Sequence, residues 1–305
     1  MKKHPTNLLL TLCFFLPCTL FAQALPPGIK SEIEIIALLS RAEKIAVAVY
    51  DLQTKKHILL NEKAVFHAAS TMKLPVMMEL FRTAKRGQFD EKIILKNSFS
   101  SIVDGSEYQL SPDDDSDSDL YKKIGQSVPM RELIPRMITR SSNLATNILI
   151  ERAKAENVMT LMKKLGANDI QVRRGVEDNK AFRAGLNNTT TAYDLMLLLK
   201  VIAEKKLMNA AAGEEMISIL SNQEFNEGIP AGITKGIKIA HKTGSITKIY
   251  HDAAIVFPPK RKPYIIVILT RGFEKETEAH QIVAEISRVI WENFNAKGQR
   301  VKGTK

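Results

Sequence analysis

Ser70 and Lys73 are the two residues whose types and spacing most directly suggest chemistry. A serine hydroxyl is a poor nucleophile until a base takes its proton, and a lysine three residues later on a helix lies on the same face. Lys73 can be that base only if burial or a second cation lowers its pKa. The pair therefore predicts a dry, electropositive pocket. The same spacing recurs at Ser245 and Lys248, so other motifs must decide between the two pairs.

Two further motifs follow the first pair along the chain. They are Ser-Ser-Asn at residues 141–143 and Lys-Thr-Gly at residues 242–244. Ser-x-x-Lys, then Ser-Asp-Asn, then Lys-Thr-Gly is the set carried by class A β-lactamases and penicillin-binding proteins, and this chain resembles that family. The resemblance runs from about residue 30 to about residue 296. It implies an enzyme of that serine hydrolase superfamily.

The resemblance also implies a role for each motif residue. Ser70 attacks an amide or lactam carbonyl and forms an acyl-enzyme, with Lys73 as base or proton relay. Ser141 passes a proton to the leaving nitrogen, while Asn143 holds the amide of the acyl group and positions Lys73. The resemblance further implies that Lys242 and Thr243 bind the substrate carboxylate and that Gly244 lets the substrate approach the strand closely. It also implies that the backbone N–H groups of Ser70 and Ser245 form the oxyanion hole.

The chain departs from the family pattern at two places. Ser142 stands where the family usually has aspartate, which we expect to alter packing more than reaction type. In class A β-lactamases an Arg-x-Glu-x-x-x-Asn loop carries the glutamate that activates the deacylating water. Aligning this pattern on residues 173–179 places Gly175 in the glutamate slot. Glu177 could replace that base only in a rethreaded loop, and we interpret it as structural or solvated.

Two other loops carry charge patterns. Residues 113–119 are mostly aspartate, but Leu120 and Gln126 fall where a calcium loop needs its turn glycine and terminal glutamate. We therefore expect a solvated acidic loop. Asn188 stands where the family places an aspartate opposite the loop arginine, so we expect Arg173 to lack a charged partner.

The first 24 residues are typical of a secretory signal. An apolar run at residues 8–16 precedes a small-residue cleavage site at 22–24, and the run is shorter than the ~20 residues of a spanning helix. Both cysteines, Cys13 and Cys18, lie in this segment, so we expect neither disulfide nor thiol chemistry in the mature protein. These features predict a periplasmic monomer without a stable membrane anchor.

Composition narrows the partners. The net charge is +11, yet one tryptophan and no interleaving of aromatic with basic residues argue against nucleic acid and favour anionic cell-envelope polymers. The six histidines show no metal-ligand spacing, and we expect no cofactor. A Ser-His-Asp hydrolase is poorly supported, because no Gly-x-Ser-x-Gly occurs.

Hydrophobic periodicity predicts an α+β fold. Short β-rich runs lie near both chain ends and helical patterns lie between them, so one antiparallel sheet formed from both ends should carry flanking helices and an inserted, mostly helical lobe. We expect the site where the lobes meet. The predicted bounds are 25–296 for the domain, 25–69 and 222–296 for the α/β lobe, 70–221 for the helical lobe and 297–305 for a basic tail.

The leading hypothesis is a periplasmic serine hydrolase that opens β-lactams through a Ser70 acyl-enzyme. Slow deacylation is expected, because Gly175 replaces the usual glutamate. One alternative is a D-alanyl-D-alanine peptidase of the penicillin-binding kind. A second alternative, from another class, is a non-enzymatic penicillin sensor that traps the acyl group. The absence of an apolar spanning run after residue 24 counts against a sensor.

Overall fold

The computed structural model describes residues 28–84 and 88–300 of the chain. The predicted signal segment lies outside these residues. Nine helices and eleven strands are described in this part. The helices are α1 Ile29–Leu39, α2 Lys73–Thr83, α3 Met130–Thr139, α4 Asn143–Ala153, α5 Ala155–Lys164, α6 Asn179–Arg183, α7 Ala192–Ala203, α8 Ala210–Ser221 and α9 Glu276–Arg300. The strands are β1 Lys44–Asp51, β2 His57–Leu60, β3 Phe66–His67, β4 Lys92–Ile94, β5 Phe99–Ser100, β6 Glu107–Tyr108, β7 Ser127–Pro129, β8 Thr189–Thr190, β9 Lys238–Ile246, β10 Ile249–Phe257 and β11 Tyr264–Arg271.

A five-stranded antiparallel sheet joins the two ends of the chain. Its order is β2-β1-β11-β10-β9, and Val47 on β1 pairs with Ile268 on β11. The predicted α+β fold, with a sheet assembled from both chain ends and helices around it, is confirmed. The position of the boundary between the two lobes stays a prediction.

The sheet is covered on both faces, which explains the long apolar runs of its neighbouring strands β1 and β11. Every residue of β1 after Lys44 is buried. Successive side chains of a strand point to opposite faces, so Ala46 and Ala48 pack with the helical side of the molecule while Val47 and Val49 pack with α1 and α9. The two cores hold the sheet rigidly between them.

Helix α2 is the centre of the helical lobe. All its residues from Lys73 to Phe81 are buried, as expected of a helix surrounded by other helices. Two buried residues are charged: Lys73 faces the site, and Glu79 binds Arg82 through hydrogen bonds of 2.7 and 2.6 Å. The helix is thereby fixed on every side, and so is the lysine at its start.

The last helix extends into the predicted basic tail. Helix α9 is described from Glu276 to Arg300 and so includes the first residues of the predicted basic tail, while residues 301–305 lie outside the description. None of the helices described in residues 28–84 and 88–300 is both long and apolar enough to cross a membrane.

Candidate active site

Ser70 lies on a tight turn at the entry to α2. Residues Ala69–Met72 form a 3₁₀ helix that leads directly into α2. Ala69 has φ of 46°, an uncommon value for a residue with a side chain, and its N–H donates to His67 Nδ1 at 3.0 Å. Such strained backbone persists only where the surroundings hold it. The turn presents Ser70 at the junction between the lobes.

The Lys73 amine lies within hydrogen-bond distance of four oxygen atoms in the site. Its Nζ lies 3.0 Å from Ser70 Oγ, 3.1 Å from Ser141 Oγ, 2.6 Å from the Ser141 carbonyl oxygen and 2.9 Å from Asn143 Oδ1. Burial lowers the pKa of Lys73 to about 7, although Asp115 and Glu177 oppose the shift. A substantial fraction of this amine is therefore neutral near pH 7 and able to accept the Ser70 proton.

Lys242 approaches the same hydroxyl from the sheet. Its Nζ donates to Ser141 Oγ at 3.1 Å and to the Thr243 carbonyl oxygen at 2.8 Å. Burial, and then the nearby Lys73 amine, lower the pKa of Lys242 well below its usual value, while Asp252 acts in the opposite sense. Ser141 Oγ thus lies between two amines. Because its lone pairs accept hydrogen bonds from both, its own proton is available to be donated. Its residue has φ of 57°.

Strand β9 lies directly against the turn that carries Ser70. A Cβ added to Gly244 would be 3.0 Å from both the Ser70 and the Thr71 backbone nitrogens. Glycine is required here because a side chain would separate β9 from the backbone of the Ser70 turn. The family resemblance implied another reason, which is the close approach of the substrate. Ser245, the next residue, lines the same cavity as Ser70.

The expectation of a solvated acidic loop is wrong for two of its aspartates, while the other residues of 113–119 are exposed. Asp115 and Asp117 are 7% and 3% exposed. Asp115 Oδ2 accepts the backbone N–H groups of Asn143 and Leu144, each at 2.9 Å, and Asp117 binds Arg136 at 2.8 Å. A carboxylate at the start of α4 satisfies backbone donors that have no partner inside the helix. Asp115 therefore fixes the backbone of Asn143.

Ser142 has the packing role that its place in the motif suggested. It is fully buried, and its Oγ accepts the Ala145 backbone N–H at 3.2 Å, which caps α4. Ser142 therefore helps to hold its neighbours Ser141 and Asn143.

Glu177 is half-buried and hydrogen-bonded, so it is not a solvated residue, and a structural role in the loop agrees with the interpretation from sequence. Its Oε1 accepts a hydrogen bond of 2.6 Å from Asn143 Nδ2, and Oδ1 of the same amide accepts one of 2.9 Å from Lys73 Nζ. Two hydrogen bonds thus connect Glu177 with the Lys73 amine. Burial raises the pKa of Glu177, with the hydrogen bond from Asn143 opposing. Glu177 has φ of 60°, an uncommon value for a residue with a side chain.

Gly175 lies directly against the side chain of Asn147. A Cβ there would clash with Asn147 Oδ1, so a larger residue would require that amide to shift. That oxygen accepts the Val176 N–H at 2.6 Å, and Asn147 Nδ2 donates to the Val176 carbonyl at 3.0 Å. Asn147 on α4 therefore holds the loop at Val176, the residue immediately before the turn at Glu177.

Asn188 secures the base of the same loop. Its Oδ1 accepts the backbone N–H groups of Arg173 at 2.8 Å and Arg174 at 3.2 Å, and its Nδ2 donates to the Arg174 carbonyl at 2.9 Å. An amide can both donate and accept, so it binds backbone where an aspartate would bind the arginine side chain. Asp115, Asn147 and Asn188 are the positioning residues that sequence reasoning missed.

A cavity of about 250 Å³ opens over Ser70. Ser141, Asn143, Thr243 and Gly244 are among the residues that line it. The predicted electropositive pocket is only half right: Lys73 and Lys242 lie beneath its surface, both fully buried. Its described wall includes three carboxylates and a histidine but no lysine or arginine. These four side chains are Asp114, Glu227, Glu276 and His280.

The antiparallel sheet, the helical lobe and the serine–lysine pair define the class of β-lactamase-like serine hydrolases. The profile of the β-lactamase enzyme family matches residues 29–294. The chain therefore belongs to that family.

Individual relatives are distant. A β-lactamase of Bacillus licheniformis is 24% identical over 183 residues, covering 58% of this chain and 60% of the relative. Across the first three curated relatives, the matched part spans 55% to 61% of their length. A β-lactamase structure from Chitinophaga pinensis has a TM-score of 0.75 at 21% identity, covering 88% of this chain and 99% of that one. The structure of PBP-A has a TM-score of 0.72 at 22% identity, covering 88% and 96%.

Proposed function

We propose that the protein is a periplasmic serine hydrolase that opens β-lactams through an acyl-enzyme on Ser70 and releases the product with Glu177 as base. The observation that carries the proposal is the single Lys73 amine shared by Ser70 Oγ, Ser141 Oγ and Asn143 Oδ1. An amine in this position can move a proton from the nucleophile toward the leaving group.

Acylation follows from these distances. Ser70 Oγ attacks the lactam carbonyl carbon while its proton passes to the neutral Lys73 amine, 3.0 Å away. The lactam C–N bond then breaks, and the nitrogen takes the proton of Ser141, which recovers one from Lys73 at 3.1 Å. The backbone N–H groups of Ser70 and Ser245 stabilise the oxyanion, and one such donor is typically worth ~2.7 to 4 kcal/mol.

Deacylation needs a base for water, and the geometry favours Glu177 over an empty slot at Gly175. Asn143 Nδ2 orients the Glu177 carboxylate at 2.6 Å, next to the amine that activated Ser70. Burial raises the pKa of Glu177, which makes it a stronger base near neutral pH. Glu177 takes a proton from water as the water oxygen attacks the ester carbon. The bond between that carbon and Ser70 Oγ then breaks, and the proton passes from Glu177 by way of the Lys73 amine, 3.0 Å from Ser70 Oγ, to restore the serine hydroxyl and the free base.

Intact-mass spectrometry after mixing with benzylpenicillin tests this proposal. We expect rapid turnover by the wild type, and a Glu177→Gln protein that acylates but holds the adduct about 10² to 10⁴ times longer. Glu278→Gln is the matched control, because this exposed glutamate of α9 does not line the cavity. A wild-type adduct that already persists and is unaffected by Glu177→Gln would instead support the slow release predicted from Gly175.

The D-alanyl-D-alanine peptidase remains a second candidate, favoured by Gly175 in the slot of the family's deacylating glutamate. Both reactions share the acylation step. Release of D-alanine from a peptide ending in D-Ala-D-Ala, at a rate above that of penicillin turnover, would select this alternative. A persistent penicillin adduct with no peptide turnover would select the sensor.

A further inference from the structure

One end of the cavity, bounded by β9, β10 and α9, has a charge opposite to that of the buried lysines. We call it the acidic end and define it by Glu227, Tyr250, Glu276 and His280. It adjoins Ser245, whose partner across the sheet is Tyr250. A substrate bound to Ser70 and β9 extends toward this end.

Tyr250 brings an unused donor to the acidic end. The residue is 4% exposed, and among the described residues its hydroxyl has no hydrogen-bond partner. Burial raises the pKa of Tyr250, and Asp252, Glu227 and Glu276 raise it further, which places three carboxylates around this ring. A buried hydroxyl without a partner is costly, so an acceptor on a ligand would be favourable here.

In the described part of the chain, no lysine or arginine lines the cavity beside these carboxylates. Glu276 Oε1 accepts the Ser245 hydroxyl at 2.7 Å and lies 3.6 Å from His280 Nε2. Behind the wall, Asp252 is bound by His241 Nδ1 and by the Ile229 N–H, both at 2.9 Å. Glu227 and Glu276 therefore give this end negative charge.

The nearby lysines form hydrogen bonds with groups other than these carboxylates. Lys242 donates to Ser141 Oγ and to the Thr243 carbonyl, beneath the cavity. Lys248, on the turn between β9 and β10, binds Glu274 at 2.6 Å. A substrate with only a carboxylate at this end would thus meet like charge, which disfavours it.

We infer that the acidic end binds a cationic group of the substrate, an ammonium or another organic cation, attached next to the carboxylate that faces β9. The inference rests on the proposed function for the reaction but not for the binding. Glu227 and Glu276 would attract the cation, while the free Tyr250 hydroxyl would donate to the neighbouring carboxylate. The preferred substrate class is therefore zwitterionic at this end.

Cephaloridine and cephalothin form a matched pair of probes, because they share one acyl side chain and differ only at C3. The first carries a pyridinium cation there, and the second carries a neutral acetoxy group. We measure binding of each to the Ser70→Ala protein by calorimetry, so that no turnover is needed. The same variants with Ser70 intact are assayed for hydrolysis.

The preference for cephaloridine, expressed as the ratio of the two affinities, is expected to fall about 3- to 10-fold in Glu276→Gln or Glu227→Gln. Glutamine keeps the acceptor for Ser245 while removing the charge. Glu278→Gln is the control, because this exposed glutamate of α9 does not line the cavity. The wild-type preference should also weaken with added salt.

The two proposals fail in different ways. If the ratio of the two affinities is the same in the Ser70→Ala protein with and without Glu276→Gln, the inference that the acidic end binds a cation is overturned, whatever the hydrolysis assay shows. A charge-dependent ratio without hydrolysis of either cephalosporin supports the acidic end and contradicts the proposed β-lactamase reaction.

Discussion

At the residue scale, the Lys73 amine has four oxygen atoms within hydrogen-bond distance and too few hydrogens to serve them all. As a neutral amine it has two N–H donors and one lone pair. The lone pair is then available to accept the Ser70 proton, and the remaining contacts compete for the two hydrogens. This competition is what makes the nucleophile and its base a single unit.

The pH dependence of acylation should report this amine. Because burial lowers the pKa of Lys73 to about 7, the neutral fraction grows as the pH rises through that value. We predict that the acylation rate with benzylpenicillin increases between about pH 6 and pH 8 and then levels off. The apparent pKa belongs to the coupled pair with Lys242. Stopped-flow acylation rates check this, and a rate that is flat across the range contradicts it.

At the element scale, the site depends on the start of α4. Asp115 reaches this helix from a loop that is far away in sequence and accepts two of its first N–H groups. Helix starts expose donors that need partners, and here the partner also fixes the backbone of Asn143. The positions of Lys73 and Glu177 both depend on the Asn143 amide.

Removing this cap should change both stability and pH response. Asp115→Ala is predicted to lower the free energy of unfolding by about 1 to 2 kcal/mol, measured in urea. It should also move the midpoint of the acylation profile to lower pH, because Asp115 raises the pKa of Lys73. Asp113→Ala, on the same loop but exposed, is the control. If Asp115→Ala destabilises the protein but does not change the midpoint of the pH profile, Asp115 has only a structural role.

The features that could be predicted from the sequence are those that lie within a single helix or strand. Ser70 and Lys73 lie close together because three residues of helix bring them there, and the strands follow a local apolar pattern. The contact between Glu177 and the Asn143 amide could not be predicted, because counting along a loop does not give its path in space. That path includes a backbone turn at φ of 60° and a hydrogen bond to Asn147 from another helix. The burial of Asp115 likewise depends on a distant helix end, which local composition does not show.

At the scale of the whole molecule, the sheet brings distant parts of the chain together. Lys242 lies on β9, whose pairing with β10 and β11 links it to β1 near the other chain end. Gly244 lets this strand lie against the Ser70 turn, so the lobes meet at backbone distance. The three motifs, widely separated in sequence, thus share one hydroxyl, Ser141 Oγ. The monomeric state and the periplasmic location stay predictions.

The most direct test of the account is the identity of the residue that a penicillin acylates. The chain has a second Ser-x-x-Lys pair, but there Ser245 Oγ donates to Glu276 and Lys248 binds Glu274. Peptide mapping by mass spectrometry after a short reaction with benzylpenicillin should find the adduct on Ser70 of the wild type. It should find none in a folded Ser70→Ala protein. An adduct on Ser245, or one that forms at an undiminished rate in Ser70→Ala, would contradict the account.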